Sequence, residues 1–344
     1  MKLFSEQNGI FQMYIPIDWQ YQNPSLYKND PGAPHTFQLY DNPLGGFQLS
    51  CKQTTPHISE IIKNNELPIQ PSELDVLEHA ERVFIDKKFS TYTWMCAVDD
   101  FFVFATYIFE TKRRSVKKRK SELANVKDAL DSFKLVKPQF RNIVAASRRY
   151  ELFIGSIAAN IDLINRAIKN QSHIELVVLV ANHIDAALRL SIIYTNQIES
   201  STDHIDTTYL FQSAMDRPIM EREIYKIAVN KNIIDQKIFD ELEALYKERN
   251  KVVHRYVITD IQTDEVLAIA RKYYELDEII DSITNSLERK QFDLKVGIHG
   301  KANEPPGNPS KQELKKIYNQ IRDKHGRAMA PKKFKRKAKN GKKN

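Results

Sequence analysis

An arginine, an asparagine and a histidine lie close together in the C-terminal half of this chain. They are Arg249, Asn250 and His254. A histidine titrates near neutral pH and can move a proton to or from a ribose 2′-hydroxyl or a leaving oxygen. An arginine presents a fixed fork of donors for a phosphate and for the added negative charge of its transition state. These residue types therefore fit phosphodiester cleavage that requires no metal ion.

A helix is expected to position these side chains, because the apolar residues around them recur at helical spacing. The apolar stripe consists of Ile238, Leu242, Leu245, Val252 and Tyr256. Arg249 falls within this stripe, where an unpaired guanidinium would be costly to bury. It therefore reaches an acidic partner, or the stripe opens there into a polar cleft or an interface. Asn250 and His254 are four residues apart and share the helix face beside the stripe.

Structural roles also account for the same residues. A histidine near the end of a helix commonly interacts with the helix dipole. An arginine near an apolar stripe can extend its charged head to solvent while its stem packs. The residue types alone leave both alternatives open for His254 and Arg249.

The motif resembles a known signature. Arg249 and His254 match the R-x4–6-H pattern of HEPN domains, in which a polar residue commonly follows the arginine, as Asn250 does here. Tyr256 extends the match to R-x4-H-x-Y, which is similar to the toxins of HEPN–nucleotidyltransferase toxin–antitoxin pairs. An earlier helix with Asp185 and Arg189 looks like the acidic-residue helix of that family. The resemblance covers residues from about 141 to 294.

This resemblance implies a homodimer of helical bundles whose two motifs face each other across the two-fold axis. It implies a metal-independent endoribonuclease that leaves a 2′,3′-cyclic phosphate and needs no cofactor. His254 would be the acid and base, Arg249 the phosphate binder and Asn250 a supporting residue. Tyr256 corresponds to the position that partner nucleotidyltransferases modify. We therefore expect an RNA-cleaving effector of a prokaryotic defence or toxin system. The alternative is a non-catalytic HEPN-like module that binds nucleic acid or protein.

Asp185 and Arg189 have a second interpretation that the sequence leaves open. The two residues are four apart on a predicted helix, so they can form an intrahelical ion pair without any catalytic role.

Five helices are predicted in this region, and their interiors contain almost no glycine or proline. They cover residues 143–169, 175–197, 219–229, 236–257 and 264–291. The short loops between long helices predict an antiparallel bundle over residues 141–294.

Residues 1–137 predict an α+β domain with an antiparallel sheet. Apolar and polar residues alternate over 11–15, which indicates a strand. Gly45 and Gly46 precede a second predicted strand over residues 47–51. A turn at Asp99-Asp100 is expected to join two further strands, over residues 92–98 and 101–109. Ser72 is expected to cap a helix over residues 73–86, and a basic stretch leads into a further helix that ends near Phe133. The order of elements and the Ile-Pro-x-Asp-Trp segment resemble PsbP/Mog1-type domains. We expect this domain to bind an antitoxin or a sensor partner.

Composition limits the remaining possibilities. Neither Cys51 nor Cys96 has metal-ligand spacing, so both are expected to be buried small apolar residues, and no metal site is predicted. No apolar run reaches the ~20 residues of a membrane span; the run at 174–184 comes nearest. The first residues lack the pattern of a signal peptide. These features predict a cytoplasmic protein without membrane contact.

Positive charge is concentrated at the C-terminal end. The net charge is +8, and residues 324–344 contain ten lysines and arginines but no acid. A linker and a short helix over residues 311–324 precede the basic tail in the third region, 295–344, and the tail composition predicts disorder. The tail residues expected to bind RNA phosphates are Lys332, Lys333, Lys335, Arg336, Lys337 and Lys339. A solubilising or membrane-attracted tail is the alternative.

Overall fold

A strand-rich N-terminal region is followed by a helical C-terminal region, which confirms the predicted fold class. The computed structural model describes residues 1–22, 33–39, 43–111, 116–210, 217–303, 305–307 and 310–325. The expectation of a disordered basic tail concerns residues outside these ranges.

Among the described residues of the N-terminal region, ten strands form two sheets. The strands are β1 (Lys2–Ser5), β2 (Phe11–Ile15), β3 (Trp19–Gln22), β4 (His35–Leu39), β5 (Gly45–Gln53), β6 (Ile69–Gln70), β7 (Ala80–Ile85), β8 (Phe89–Val98), β9 (Phe101–Glu110) and β10 (Lys134–Leu135). The smaller sheet has the order β1-β2-β10, and the larger has the order β3-β4-β5-β9-β8-β6, with β7 also paired to β8. The pairs between these described strands are all antiparallel except that of β6 with β8.

Helices cover both faces of the larger sheet. Helix α1 (Pro56–Asn64) packs on the face that carries Phe102, and α2 (Val116–Asp131) packs on the face that carries Val103. Successive side chains of a strand point to opposite faces, so adjacent residues of β9 belong to the two separate cores. The predicted turn at Asp99-Asp100 is confirmed, and Asp99 adopts a left-handed backbone with φ of 47°.

The predicted helix over residues 73–86 is wrong. That stretch contains turns and then strand β7, which pairs with β8 along its whole length. The β-branched and aromatic residues Val83, Phe84 and Ile85 favour a strand. Pairing with β8 provides hydrogen-bond partners for the backbone groups along one edge of β7. The helix of this region lies earlier, at α1, where Thr55 caps the first turn and Pro56 occupies its first position.

The five predicted helices of the C-terminal region are confirmed, with ends that agree to within three residues. They are α3 (Arg141–Asn170), α4 (His173–Glu199), α5 (Glu221–Asn230), α6 (Gln236–Arg255) and α7 (Thr263–Leu294). Helix α4 is the central helix, because it contacts α3, α5, α6 and α7. It is also the helix, among those described, that is long and apolar enough to cross a membrane by length and composition, and most of it is buried inside the bundle.

Buried polar pairs align α4 with α7. The Ser191 and Thr284 hydroxyls are 2.9 Å apart, and Gln291 Nε2 donates to Gln197 Oε1 at 2.8 Å. Buried polar groups need partners, and a shifted register would separate both pairs. These contacts therefore select one alignment of two otherwise apolar helices.

The region predicted as linker and short helix packs back onto the rest of the molecule. Helix α8 (Lys311–His325) lies along α3, where His325 Nε2 is 3.2 Å from Asp162 Oδ2. Lys2 of β1 donates to Asp323 at 2.6 Å, so α8 contacts the N-terminal domain as well. A Cβ at Gly9 would lie 2.1 Å from the Arg141 carbonyl oxygen, which marks a second close contact between the domains.

His35 of β4 should make folding sensitive to acid. Burial, together with the positive charge of Arg148 on α3, lowers the pKa of His35 to about 4. The unfolded value is ~6.5, so the folded state binds fewer protons between these pH values, and stability is lost as the pH falls through this window. We expect the urea midpoint to fall on acidification, and less steeply in His35→Gln. The exposed His57→Gln variant is the control, and equal slopes in all three proteins would contradict the prediction.

Candidate functional site

Arg249 has an acidic partner, which resolves the alternative that its place in the apolar stripe left open. Its Nη1 donates to both carboxylate oxygens of Glu221, at 2.8 and 2.7 Å. The two side chains are 14% and 17% exposed, so the ion pair is largely shielded from solvent. The Tyr246 ring lies under the guanidinium, 4.7 Å from its carbon. Burial alone would lower the pKa of Arg249, but the Glu221 carboxylate outweighs it and the net shift is upward.

The apolar side of α6 is as the spacing predicts. Leu242, Leu245 and Val252 are buried in the bundle core, and Ile238 and Tyr256 pack against that core. Asp235 caps the helix by accepting from the backbone N–H of Ile238 at 2.8 Å.

Polar side chains from neighbouring helices surround the Arg249–Glu221 pair. Tyr225 of α5 donates its hydroxyl to Glu221, and burial raises the pKa of that phenol well above its usual range. The hydroxyl of Tyr273 on α7 and one oxygen of Asp185 are buried without a protein hydrogen-bond partner among the described residues. Burial raises the pKa of Asp185, and the charges of Arg189 and Arg249 oppose that shift.

Asp185 and Arg189 form the intrahelical ion pair that was one of the two sequence interpretations. Arg189 Nε donates to Asp185 Oδ2 at 2.8 Å, and its Nη2 donates to the Ile219 carbonyl at 2.7 Å. Arg189 is buried and holds the segment that precedes α5. This contact positions α5, and with it Glu221, against α4.

His254 and Asn250 lie away from this ion pair, toward solvent. The His254 side chain is exposed in the last turn of α6, and Asn250, one turn earlier, is half-buried. A spacing of five residues turns a side chain by ~140° around a helix, so Arg249 and His254 project in different directions from one chain. Within the single chain, the three motif residues therefore do not form one closed cluster.

Large exposed apolar residues lie close to His254 in the sequence at the end of α6. Val257 is 92% exposed, Ile258 is 79% exposed, and Val253 is also exposed. Tyr256 is half-buried, and its hydroxyl is 3.3 Å from the Thr263 hydroxyl. Neighbouring exposed apolar residues of this kind are typical of a surface that a partner covers.

A second polar cluster was not predicted from the sequence. His183 Nδ1 of α4 is 2.8 Å from Asp277 Oδ1 and 4.0 Å from Asp281 Oδ1, and both carboxylates belong to α7. Burial alone would lower the pKa of His183, but the hydrogen bond to Asp277 and the charges of both carboxylates raise it overall. These three residues could hold a metal ion.

The two cysteines lie in strands β5 and β8 of the larger sheet. Cys96 is buried and Cys51 is half-buried, and burial raises the pKa of both thiols. The basic tail residues Lys332, Lys333, Lys335, Arg336, Lys337 and Lys339 lie outside the described residues.

Comparison with known proteins adds little to this site. No family model matches the chain, and no curated protein matches it. Among solved structures, a protein from Bacteroides thetaiotaomicron VPI-5482 is similar, with 14% identity over 54% of this chain and 76% of that chain, and a TM-score of 0.29. A likeness at this level carries no argument about activity.

Proposed function

We propose that the protein is a metal-independent endoribonuclease of HEPN type that acts in a prokaryotic defence or toxin system. His254 exchanges protons with the 2′-hydroxyl and the leaving oxygen, Asn250 supports the phosphate, and Arg249 neutralises its charge. The observation that supports this most is the exposed imidazole of His254 in the last turn of α6, beside an apolar surface. An acid or base must reach its substrate, and solvent exposure allows this.

A second copy of the chain is part of the proposal. One chain offers one His254, whereas cleavage by 2′-hydroxyl attack uses a base and an acid in the same step. Two-fold association through Val253, Val257 and Ile258 would bring two α6 ends together and cover this apolar surface. Each motif would then contribute to a shared cleft between the subunits.

The alternative is a non-catalytic module, and one contact favours it. Arg249 already has a carboxylate partner in Glu221, so its guanidinium is satisfied without a phosphate. In this alternative, Arg249 only stabilises the bundle, and nucleic acid binds through the basic tail. The N-terminal domain, in either case, is proposed to bind an antitoxin or sensor.

Incubation of the purified chain with cellular RNA in the presence of EDTA tests the proposal. We expect cleavage products with 2′,3′-cyclic phosphate ends, and a dimer by light scattering. Intact RNA under all conditions supports the non-catalytic alternative. A strict requirement for Mg²⁺, or a monomer at micromolar concentration with and without RNA, contradicts the mechanism as proposed.

Deletion of residues 326–344 should weaken RNA binding and reduce its salt dependence. The segment contains nine lysines and arginines, and helix α8 ends just before it, so the deletion leaves the described helices intact. Each lost phosphate contact reduces the log–log slope of affinity against salt by roughly 0.7 for single strands. The cleavage sequence should not change, since phosphate contacts carry no sequence information. Titration of one labelled RNA at several salt concentrations measures both slopes; identical slopes would exclude the tail as a contact.

A further inference from the structure

The cluster of His183, Asp277 and Asp281 has the composition and shape of a cation site. One ligand atom from each residue lies within 4.8 Å of the other two. Asp277 and Asp281 are four residues apart on α7, so their carboxylates share one helix face. His183 approaches from α4, the facing helix, in the arrangement by which helical bundles build metal sites in their cores.

Hydrogen bonding alone does not account for the third member of the cluster. The Asp277 carboxylate already satisfies His183 Nδ1 at 2.8 Å, yet Asp281 also faces the imidazole at 4.0 Å. A divalent cation between the three side chains would contact both carboxylates, and a buried carboxylate such as that of Asp277 is commonly paired or coordinates a metal.

The cluster is closed on one side and open on the other. The side chains of His183 and Asp277 are 7% and 11% exposed, whereas that of Asp281 is 47% exposed. Asp281 also lines a shallow, open polar groove on the surface of α7, with Glu278, Asn285 and Arg289. Three protein ligands with an opening to solvent leave further coordination positions for water or for an oxygen-bearing ligand.

We propose that His183, Asp277 and Asp281 bind one divalent first-row transition-metal ion, with its remaining positions directed toward the groove along α7. A mixed set of one imidazole and two carboxylates suits Zn²⁺, Fe²⁺ or Mn²⁺. Protons compete with a metal ion for imidazole and carboxylate ligands, so affinity should fall in acid. His183 contacts Asp277 of α7. Asp185, two residues further along α4, instead interacts electrostatically with Arg249 and Glu221. The site is therefore separate from the proposed RNA site.

Calorimetric titration of the EDTA-treated, dialysed and tag-free full chain with Zn²⁺ and with Mn²⁺ tests this proposal. We expect one ion per chain. Loss even of an outer partner typically weakens metal binding by ~10–100-fold, so Asp281→Asn, which removes a ligand, should weaken it at least ~10-fold. Asp281 is partly exposed, so this variant should remain folded, which circular dichroism checks.

Glu278→Gln is the matched control, because Glu278 lines the same groove but does not belong to the cluster. It should bind both ions with wild-type affinity. Absorption of bound Co²⁺ adds a direct readout of the ligand field, and the visible bands should be lost in Asp281→Asn alone. Absence of binding by the wild type at ~1 mM ion, or equal affinities in all three proteins, would overturn the proposal. None of these measurements involves RNA, so their outcome does not depend on the proposed nuclease activity.

Discussion

Glu221→Gln is expected to lower the free energy of unfolding by about 3 kcal/mol. Removal of one partner of a buried ion pair leaves the other charge uncompensated, which typically costs ~3–5 kcal/mol. The lower end of this range applies, because Arg249 and Glu221 keep a small exposed area. Tyr225 adds to the effect, since its hydroxyl donates to the same carboxylate. Urea denaturation followed by circular dichroism measures the change.

Glu243→Gln is the matched control for this prediction. Glu243 of α6 pairs with Arg222 of α5, with Nε 2.8 Å from Oε1, so it bridges the same two helices. Arg222 is 50% exposed, and pairs with an exposed member contribute only ~0–1 kcal/mol. The prediction requires Glu221→Gln to be clearly less stable than Glu243→Gln. Equal stabilities would show that the Arg249–Glu221 pair is no more important than a surface contact.

The Arg249–Glu221 ion pair determines which variants of Arg249 can be used to test catalysis. Arg249→Ala would leave Glu221 without its partner, so lost cleavage in that variant could reflect a disturbed bundle. Arg249→Lys keeps a positive charge for Glu221 but removes the planar fork that binds phosphate. Lost cleavage with near-normal stability in Arg249→Lys would therefore point to a direct role of the guanidinium.

Local spacing predicted the helical frame of the site but not its polar contacts. The stripe of α6 is visible because its apolar residues repeat every three or four positions. Glu221 is 28 residues from Arg249, and nothing in the sequence around Glu221 distinguishes it from an exposed glutamate. The sequence indicated that Arg249 needs a partner, since it interrupts an apolar stripe, but the identity of that partner depends on how α5 packs against α6.

Contacts between residues that are far apart in the sequence are still harder to predict. His183 and Asp277 are 94 residues apart, and each lies in a helix whose own pattern is explained by apolar packing. Only the alignment of α4 with α7 brings them together. The wrong helix prediction over residues 73–86 of the N-terminal domain has a related cause. Strand β7 is mostly exposed, so its sequence lacks the alternation of apolar and polar residues that marks a half-buried strand. It forms a strand because it pairs with β8.

His254→Ala is expected to reduce the rate of RNA cleavage by ~10²–10⁴-fold, the usual effect of losing a general acid or base. Unlike Arg249, His254 is exposed in the last turn of α6, so its replacement should change the free energy of unfolding by no more than ~0.5 kcal/mol. The rate and the stability are thus expected to separate, which a purely structural residue would not allow. Single-turnover cleavage of one labelled RNA, with urea denaturation of the same samples, measures both quantities.

His57→Ala gives the matched control, because His57 is also an exposed histidine on a helix but belongs to α1 in the other domain. It should cleave at the wild-type rate. RNA affinity should stay nearly unchanged in both variants, since a proton-transfer group contributes mainly in the transition state. If His254→Ala cleaves as fast as the wild type, His254 has no role in proton transfer. The motif would then only stabilise the helical bundle, through Arg249. If the rate and the RNA affinity fall together, His254 is a binding residue, and the non-catalytic alternative becomes the better account of the site.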